Sequence, residues 1–174
     1  EFRRVLFRSA VPVSADEATP AASPQDEAGE LPFLEALRTQ VTLRKADGRS
    51  LAVMIIDCGV ISRIDSVWGY HVGDAVRGRV IASLRAEVLR PDDFVGEMGR
   101  DDLACVLSTL EGPAVASLAA EKSLRALAAP FWIGEDEIFA NPAIGIAMCP
   151  SQGDEAETLL QRAKNACVQI GRAH

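Results

Sequence analysis

The sequence predicts an α+β fold in which helices pack on a central, mainly antiparallel sheet. Three observations carry that expectation. Two apolar runs, "LAVMIID" (51–57) and "AIGIAMC" (143–149), are continuous enough for strands buried on both faces. A hairpin signal falls in mid-chain, where "FVGEM" (94–98) and "DLACVLS" (102–108) flank a short bend. Apolar residues elsewhere recur at helical spacing, so strands that pair locally are mixed with helices that cross over.

The elements follow in order. Leu34, Leu37 and Val41 fall on one helical face after Phe33, and "ADGRS" (46–50) breaks that helix. The strand 51–57 comes next and ends in an acid. Val76, Val80, Leu84 and Val88 recur every four residues after Asp74, which reads as an N-cap. Beyond the hairpin, Val115, Leu118 and Leu127 belong to an Ala-rich helix that stops before Pro130. "FWI" and "EIF" flank the Gly134-Glu135-Asp136 turn as a second, small hairpin. After the strand 143–149, Leu159, Leu160, Ala163 and Ala166 mark a last helix. No internal repeat is present.

The two ends stand apart. "EFRRVLFRS" (1–9) and "IGRAH" (170–174) can be back-translated into complementary nucleotide strings, as translated sequencing-adapter read-through would be. Both are expected to be non-biological, and the chain to be a fragment. Residues 10–30 are Ala, Pro, Ser and acid, a composition that buries little and suits a flexible linker. The folded domain is therefore expected over 31–169.

The net charge is −7; without the two ends, 14 basic residues face 24 acidic ones, about −10. That balance argues against non-specific nucleic-acid or anionic-membrane binding. A small phosphate ligand stays open, because backbone dipoles can hold one locally. No apolar run is long enough to span a bilayer. Cys58, Cys105, Cys149 and Cys167 lie scattered in apolar segments without Cys-x-x-Cys spacing, so reduced core thiols and a cytoplasmic setting are expected.

One stretch asks for chemistry. "GEMGRDDLACVL" (96–107) sets Asp101 and Asp102 side by side at the tip of an apolar hairpin, with Arg100 beside them. Like charges repel, so fold stability gives little reason for the pair. A bound cation or polyphosphate gives a better one, and an ordinary polar turn is the alternative.

Several linked motifs answer in the same direction. "MIIDCGVISRIDSVWGYHVGD" (54–74) resembles the pattern D-x-D-x-F-K-x-I-N-D…G-H-x-x-G-D, and "MGRDDL" (98–103) sits where a G-G-[DE]-E-F hairpin would be. "AIGIAMCP" resembles S-I-G-I-A-x-x-P, and "LLQRAKNACV" resembles L-L-x-R-A-D-x-A-x-Y. Over roughly 33–169 the chain resembles the GGDEF domain, the diguanylate cyclase family of cyclic-di-GMP signalling. The resemblance implies a ferredoxin-like, nucleotide-cyclase-type fold with a five-stranded sheet. It implies phosphoryl transfer between two GTP molecules held by facing domains, with Mg²⁺ on the phosphates. Asp57 and Asp102 match metal-ligand positions, and Asp101 and Asp102 the catalytic acids. Cys58 and Gly59, in the turn after Asp57, match a phosphate cradle. Asp65 and Asp74 match guanine-reading positions, and Arg100 joins this nucleotide-binding set. Arg90 and Asp93, as Arg-x-x-Asp ahead of the hairpin, match the inhibitory site for cyclic-di-GMP.

The departures point to degeneracy. Gly59 replaces the second acid of D-x-D, and Ser62 replaces a Lys that would offset phosphate charge. Asp65 replaces an Asn and offers acceptors only. Arg100 replaces a hairpin Gly, Asp102 is shorter than the usual Glu, Glu97 replaces an Arg, Leu103 a Phe and Lys164 an Asp. The expectation is a non-catalytic regulatory module that binds GTP or cyclic-di-GMP. A neighbouring EAL phosphodiesterase or sensor domain would be its partner, with a homodimer as a further possibility. Plainer readings stand beside it: Asp57 as a solvated strand end, Asp74 as a helix cap, and Arg90 with Asp93 as a surface turn. The competing functions are a weakly active diguanylate cyclase, a ligand-free dimerisation module, and a phospho-acceptor receiver domain. The mid-chain hairpin disfavours the last.

Overall fold

The computed structural model describes residues 29–172; the segment 1–9, most of the expected linker and residues 173–174 lie outside them. Its centre is β1 (Ser50–Asp57), buried from Leu51 to Ile56. The continuous apolar run follows from helices on both faces of the sheet. Leu51, Val53 and Ile55 pack with Phe33, Leu37 and Val41 of α1 (Glu30–Asp47) and with Leu159 and Ala163 of α5 (Ala156–Arg172). Met54 and Ile56 point the other way. They meet Ile61 and Ile64 of α2 (Val60–Trp68) and Val76, Val80 and Leu84 of α3 (Tyr70–Glu87). Period-two alternation along one strand thus feeds two separate cores.

The sheet runs β2 (Phe94–Glu97), β3 (Asp102–Leu110), β1, β6 (Ala143–Cys149), with every neighbouring pair antiparallel. It has four strands among the described residues, not the five expected. β4 (Phe131–Ile133) and β5 (Asp136–Ile138) pair only with each other, as a separate ribbon. Between β3 and that ribbon, α4 (Pro113–Ala126) packs through Ala116 and Ala119 against Ala52 and Leu107. Its small residues, not Leu118, form the inner face; Leu118 is 45% exposed.

One boundary differs from the sequence expectation. Asp74 is not an N-cap: α3 starts at Tyr70, directly after Gly69 with φ 92° and ψ 161°, and Asp74 lies within the helix. A single glycine is enough to end α2 and start α3, so no polar cap is needed further on. α5 continues past Gln169 to Arg172. Its approach to β6 is close, since a Cβ on Gly145 would stand 2.1 Å from the Ala163 carbonyl oxygen. Cys58, Cys105, Cys149 and Cys167 are buried free thiols.

Candidate functional site

Antiparallel pairing decides the geometry of the site. Asp57 closes β1 and Asp102 opens β3, and the ladder makes them direct cross-strand partners. The hairpin turns at Gly99, whose φ of 108° an L side chain rarely adopts, and closes through Met98 N–H to the Asp102 carbonyl at 2.8 Å. Cys58 N–H donates to the Asp101 carbonyl at 2.8 Å and ties the strand end to the bend. Asp57 and residues 98–102 therefore line one cleft of about 460 Å³, whose far wall is Lys164, Cys167 and Val168 of α5.

The acids of this cleft already have partners. Asp101 accepts from Ser62 N–H at 2.8 Å and Ser62 Oγ–H at 2.6 Å, so it caps the first turn of α2 from outside. Asp102 receives the Lys164 ammonium at 2.5 Å. That contact holds Lys164 above the usual lysine range, chiefly through its hydrogen bond to Asp102. Asp57 is held above the usual carboxylate range, by burial first and then by the charges of Asp102 and Asp101. Gly59 N–H and Lys164 pull it back.

The expected phosphate cradle does not stand open. Cys58 N–H is bonded to Asp101, Gly59 N–H to the Asp57 carboxylate, Ile61 N–H to the Cys58 carbonyl and Ser62 N–H to Asp101. Cys58 is fully buried, and burial, then Asp57, pushes its thiol up to about 12. The helix start that would take a phosphate carries an internal carboxylate instead.

A second cluster lies on the α2–α3 side of the hairpin. Arg100 forks onto both carboxylate oxygens of Asp65 and donates to Asp74 Oδ1 at 2.5 Å. Its guanidinium also lies 5.1 Å from the centre of the Tyr70 ring. The Arg100 hydrogen bond holds the Asp65 carboxyl below its usual range. Arg77, buried at 9% exposure, links Glu97 at 3.0 Å and the Arg100 carbonyl at 2.8 Å.

Arg90 and Asp93 are not in this cleft. They sit beside Ser108 and Thr109, at the far end of β3 and about 20 Å along the strand from Asp102. Asp93 is a buried latch, its side chain 2% exposed, accepting from Arg90 N–H at 2.9 Å and Ser108 N–H at 2.8 Å. Arg90 also donates to the Thr109 carbonyl.

The structure brings Asp57, Asp101 and Asp102 together in the cleft, and Asp65, Asp74 and Arg100 in the second cluster. Sequence reasoning missed Tyr70, Gly73, Arg77 and the part Lys164 plays. The signal for Lys164 was present, a cation exchanged for an acid near other acids, but it was read as a loss.

Comparison with known proteins agrees with this fold. The family model described as diguanylate cyclase, GGDEF domain matches residues 30–174. A bifunctional diguanylate cyclase/cyclic di-GMP phosphodiesterase, MucR of Pseudomonas aeruginosa, is 30% identical over 120 residues, covering 69% of this chain and 17% of that protein. The cyclic di-GMP phosphodiesterase NbdA of the same organism is 28% identical over 122 residues, covering 70% of the chain and 15% of that protein. The chain spans less than a fifth of these curated relatives. Among solved structures, the GGDEF domain of TpbB (YfiN) from P. aeruginosa superposes with a TM-score of 0.79 at 25% identity, over 88% of this chain and 89% of that one.

Proposed function

Since the chain belongs to the diguanylate cyclase, GGDEF domain family, we propose that it is a non-catalytic, regulatory member of it. In this reading the domain binds GTP or cyclic-di-GMP and tunes a neighbouring EAL phosphodiesterase domain. The single observation that carries the loss of catalysis is the Lys164 ammonium seated on Asp102. A divalent ion at Asp57 and Asp102 would have to share a carboxylate with that positive charge.

GGDEF domains generally use Mg²⁺ for catalysis, and the residues here do not fit it. Of the two acids that would hold it, Asp102 carries the Lys164 ammonium and Asp57 is held above the usual carboxylate range. Asp101, the remaining acid, is engaged by Ser62.

The neighbour is supported by the relatives. One is described as bifunctional and one as a phosphodiesterase, and the chain covers 17% and 15% of them. No helix among the described residues is long and apolar enough to cross a membrane. The test is calorimetry with GTP and with cyclic-di-GMP, with and without Mg²⁺, beside chromatographic assay of product. Expected are saturable heat with one nucleotide and no cyclic-di-GMP formed from GTP. Turnover would overturn the non-catalytic assignment, and silence with both ligands would overturn the sensing role.

A further inference from the structure

We propose that Arg100 is a built-in ligand: its guanidinium fills a cradle made by Asp65, Asp74, Tyr70 and Gly73, and holds the β2–β3 hairpin shut until an external planar N–H donor displaces it. The part of this that concerns guanine nucleotides rests on the function proposed above; the latch itself does not.

The cradle is built for a flat donor group. Asp65, with its side chain 7% exposed, meets Arg100 with both oxygens, and Asp74 takes a third N–H at 2.5 Å. The Tyr70 carbonyl accepts at 3.4 Å and the Tyr70 ring supplies a face. A lysine ammonium is a point charge and cannot reproduce this forked contact. The space exists because residue 73 has no side chain. A Cβ there would stand 1.8 Å from Asp65 Oδ1 and 2.7 Å from Arg100 Nη2.

The latch is coupled to the hairpin at its other end. Arg77 Nη2 holds the Arg100 carbonyl at 2.8 Å, so residue 100 is gripped through both backbone and side chain. Asp101, the next residue, is bound to Ser62 of α2. Withdrawal of Arg100 would take the forked partner from the buried Asp65 carboxylate and leave it beside Asp74 with Arg77 as the remaining nearby cation, which favours a replacement. The chemistry that fits is a pair of adjacent, coplanar N–H donors: a guanidinium, an amidine, or the N1–H and N2–H edge of guanine. Occupancy of the cradle by such a group and locking of the hairpin by Arg100 are mutually exclusive.

The experiment compares the full chain with its Arg100→Ala variant. Millimolar methylguanidinium is expected to raise the Tm of Arg100→Ala and to leave both the wild type and the Arg100→Ala/Asp65→Asn double variant unchanged. Guanosine, but not adenosine, is expected to bind Arg100→Ala at least about tenfold more tightly than the wild type, because the competent state is no longer a minor one. A folded Arg100→Ala protein that ignores methylguanidinium overturns the proposal. Rescue by methylguanidinium without guanosine binding upholds the latch and removes guanine from the groups this cradle accepts, leaving the Arg90–Asp93 site to its own test. Should Arg100→Ala fail to fold, nitrogen-15 spectra of the intact protein decide. An Arg100 Nε–H signal protected from exchange, and lost in Asp65→Asn, supports the latch; a solvent-like signal overturns it.

Discussion

Lys164→Asp tests whether an ammonium stands in for a metal. The change replaces the cation on Asp102 with a third carboxylate beside Asp57 and Asp102. The lost pair is half in water, with side-chain exposures of 53% and 17%, so its removal costs about 0.5–1 kcal/mol. Two carboxylates about 4 Å apart repel by ~1 kcal/mol in water and ~4 kcal/mol at an effective dielectric of 20; this half-exposed site lies toward the lower figure, about 1–2 kcal/mol. The sum is about 2 kcal/mol, or roughly a 6 °C fall in Tm for a domain of this size in metal-free buffer at pH 7. Three acids then converge where one cation is missing. Mg²⁺ at tenfold its Kd should return about 1.4 kcal/mol by mass action. The assay is thermal unfolding of the wild type and Lys164→Asp, each with EDTA and with Mg²⁺. The wild type should not respond to Mg²⁺, and the variant should recover much of its loss. Equal Mg²⁺ stabilisation of both proteins would refute the substitution of ammonium for metal.

Four further outcomes are expected. Asp57 has a raised folded pKa, so its ionised form penalises the fold at neutral pH, and the penalty lifts as pH falls through that pKa; Asp57→Asn should therefore raise Tm at pH 7, with the gain vanishing in acid. Ser62→Ala removes the 2.6 Å hydroxyl bond to Asp101 while Ser62 N–H still donates, and should cost about 1 kcal/mol, read as a lower urea midpoint at unchanged slope. Asp93→Ala strands the Ser108 N–H and should cost about 1–3 kcal/mol by the same measurement; cyclic-di-GMP titration of that variant tests the inhibitory-site reading separately. The thiols of Cys58 and Cys105 are pushed up to about 12 by burial, so native protein should resist alkylation at pH 8 and react only once unfolded.

The fold was legible where one strand's chemistry settles its surroundings. Six consecutive buried residues in β1 require cover on both faces, and the mid-chain hairpin requires antiparallel neighbours. The meeting of Asp57 and Asp102 needs one thing more, the antiparallel pairing of β1 with β3, which sets the end of the one against the start of the other. The N-cap at Asp74 failed because capping preference is a local rule, and Gly69 had already started the helix. The fifth strand failed because the three-residue strands of the second hairpin pair with each other and not with the sheet.

The site was legible only in part. Asp65 in place of an amide, Arg100 in place of a glycine and Lys164 in place of an acid each look like damage to a nucleotide pocket. Folded, they answer one another: Arg100 neutralises Asp65 across 35 residues, and Lys164 neutralises Asp102 across 62. An acid where an amide would be is tolerable only with a guanidinium to meet it, and that guanidinium needs the bare backbone of Gly73 to fit. Compensation of this kind depends on which side chains reach one another through space, and spacing along the chain does not encode that. The same set of contacts ties the hairpin to its surroundings, with salt links from α3 through Arg77 to Glu97 and from α5 through Lys164 to Asp102.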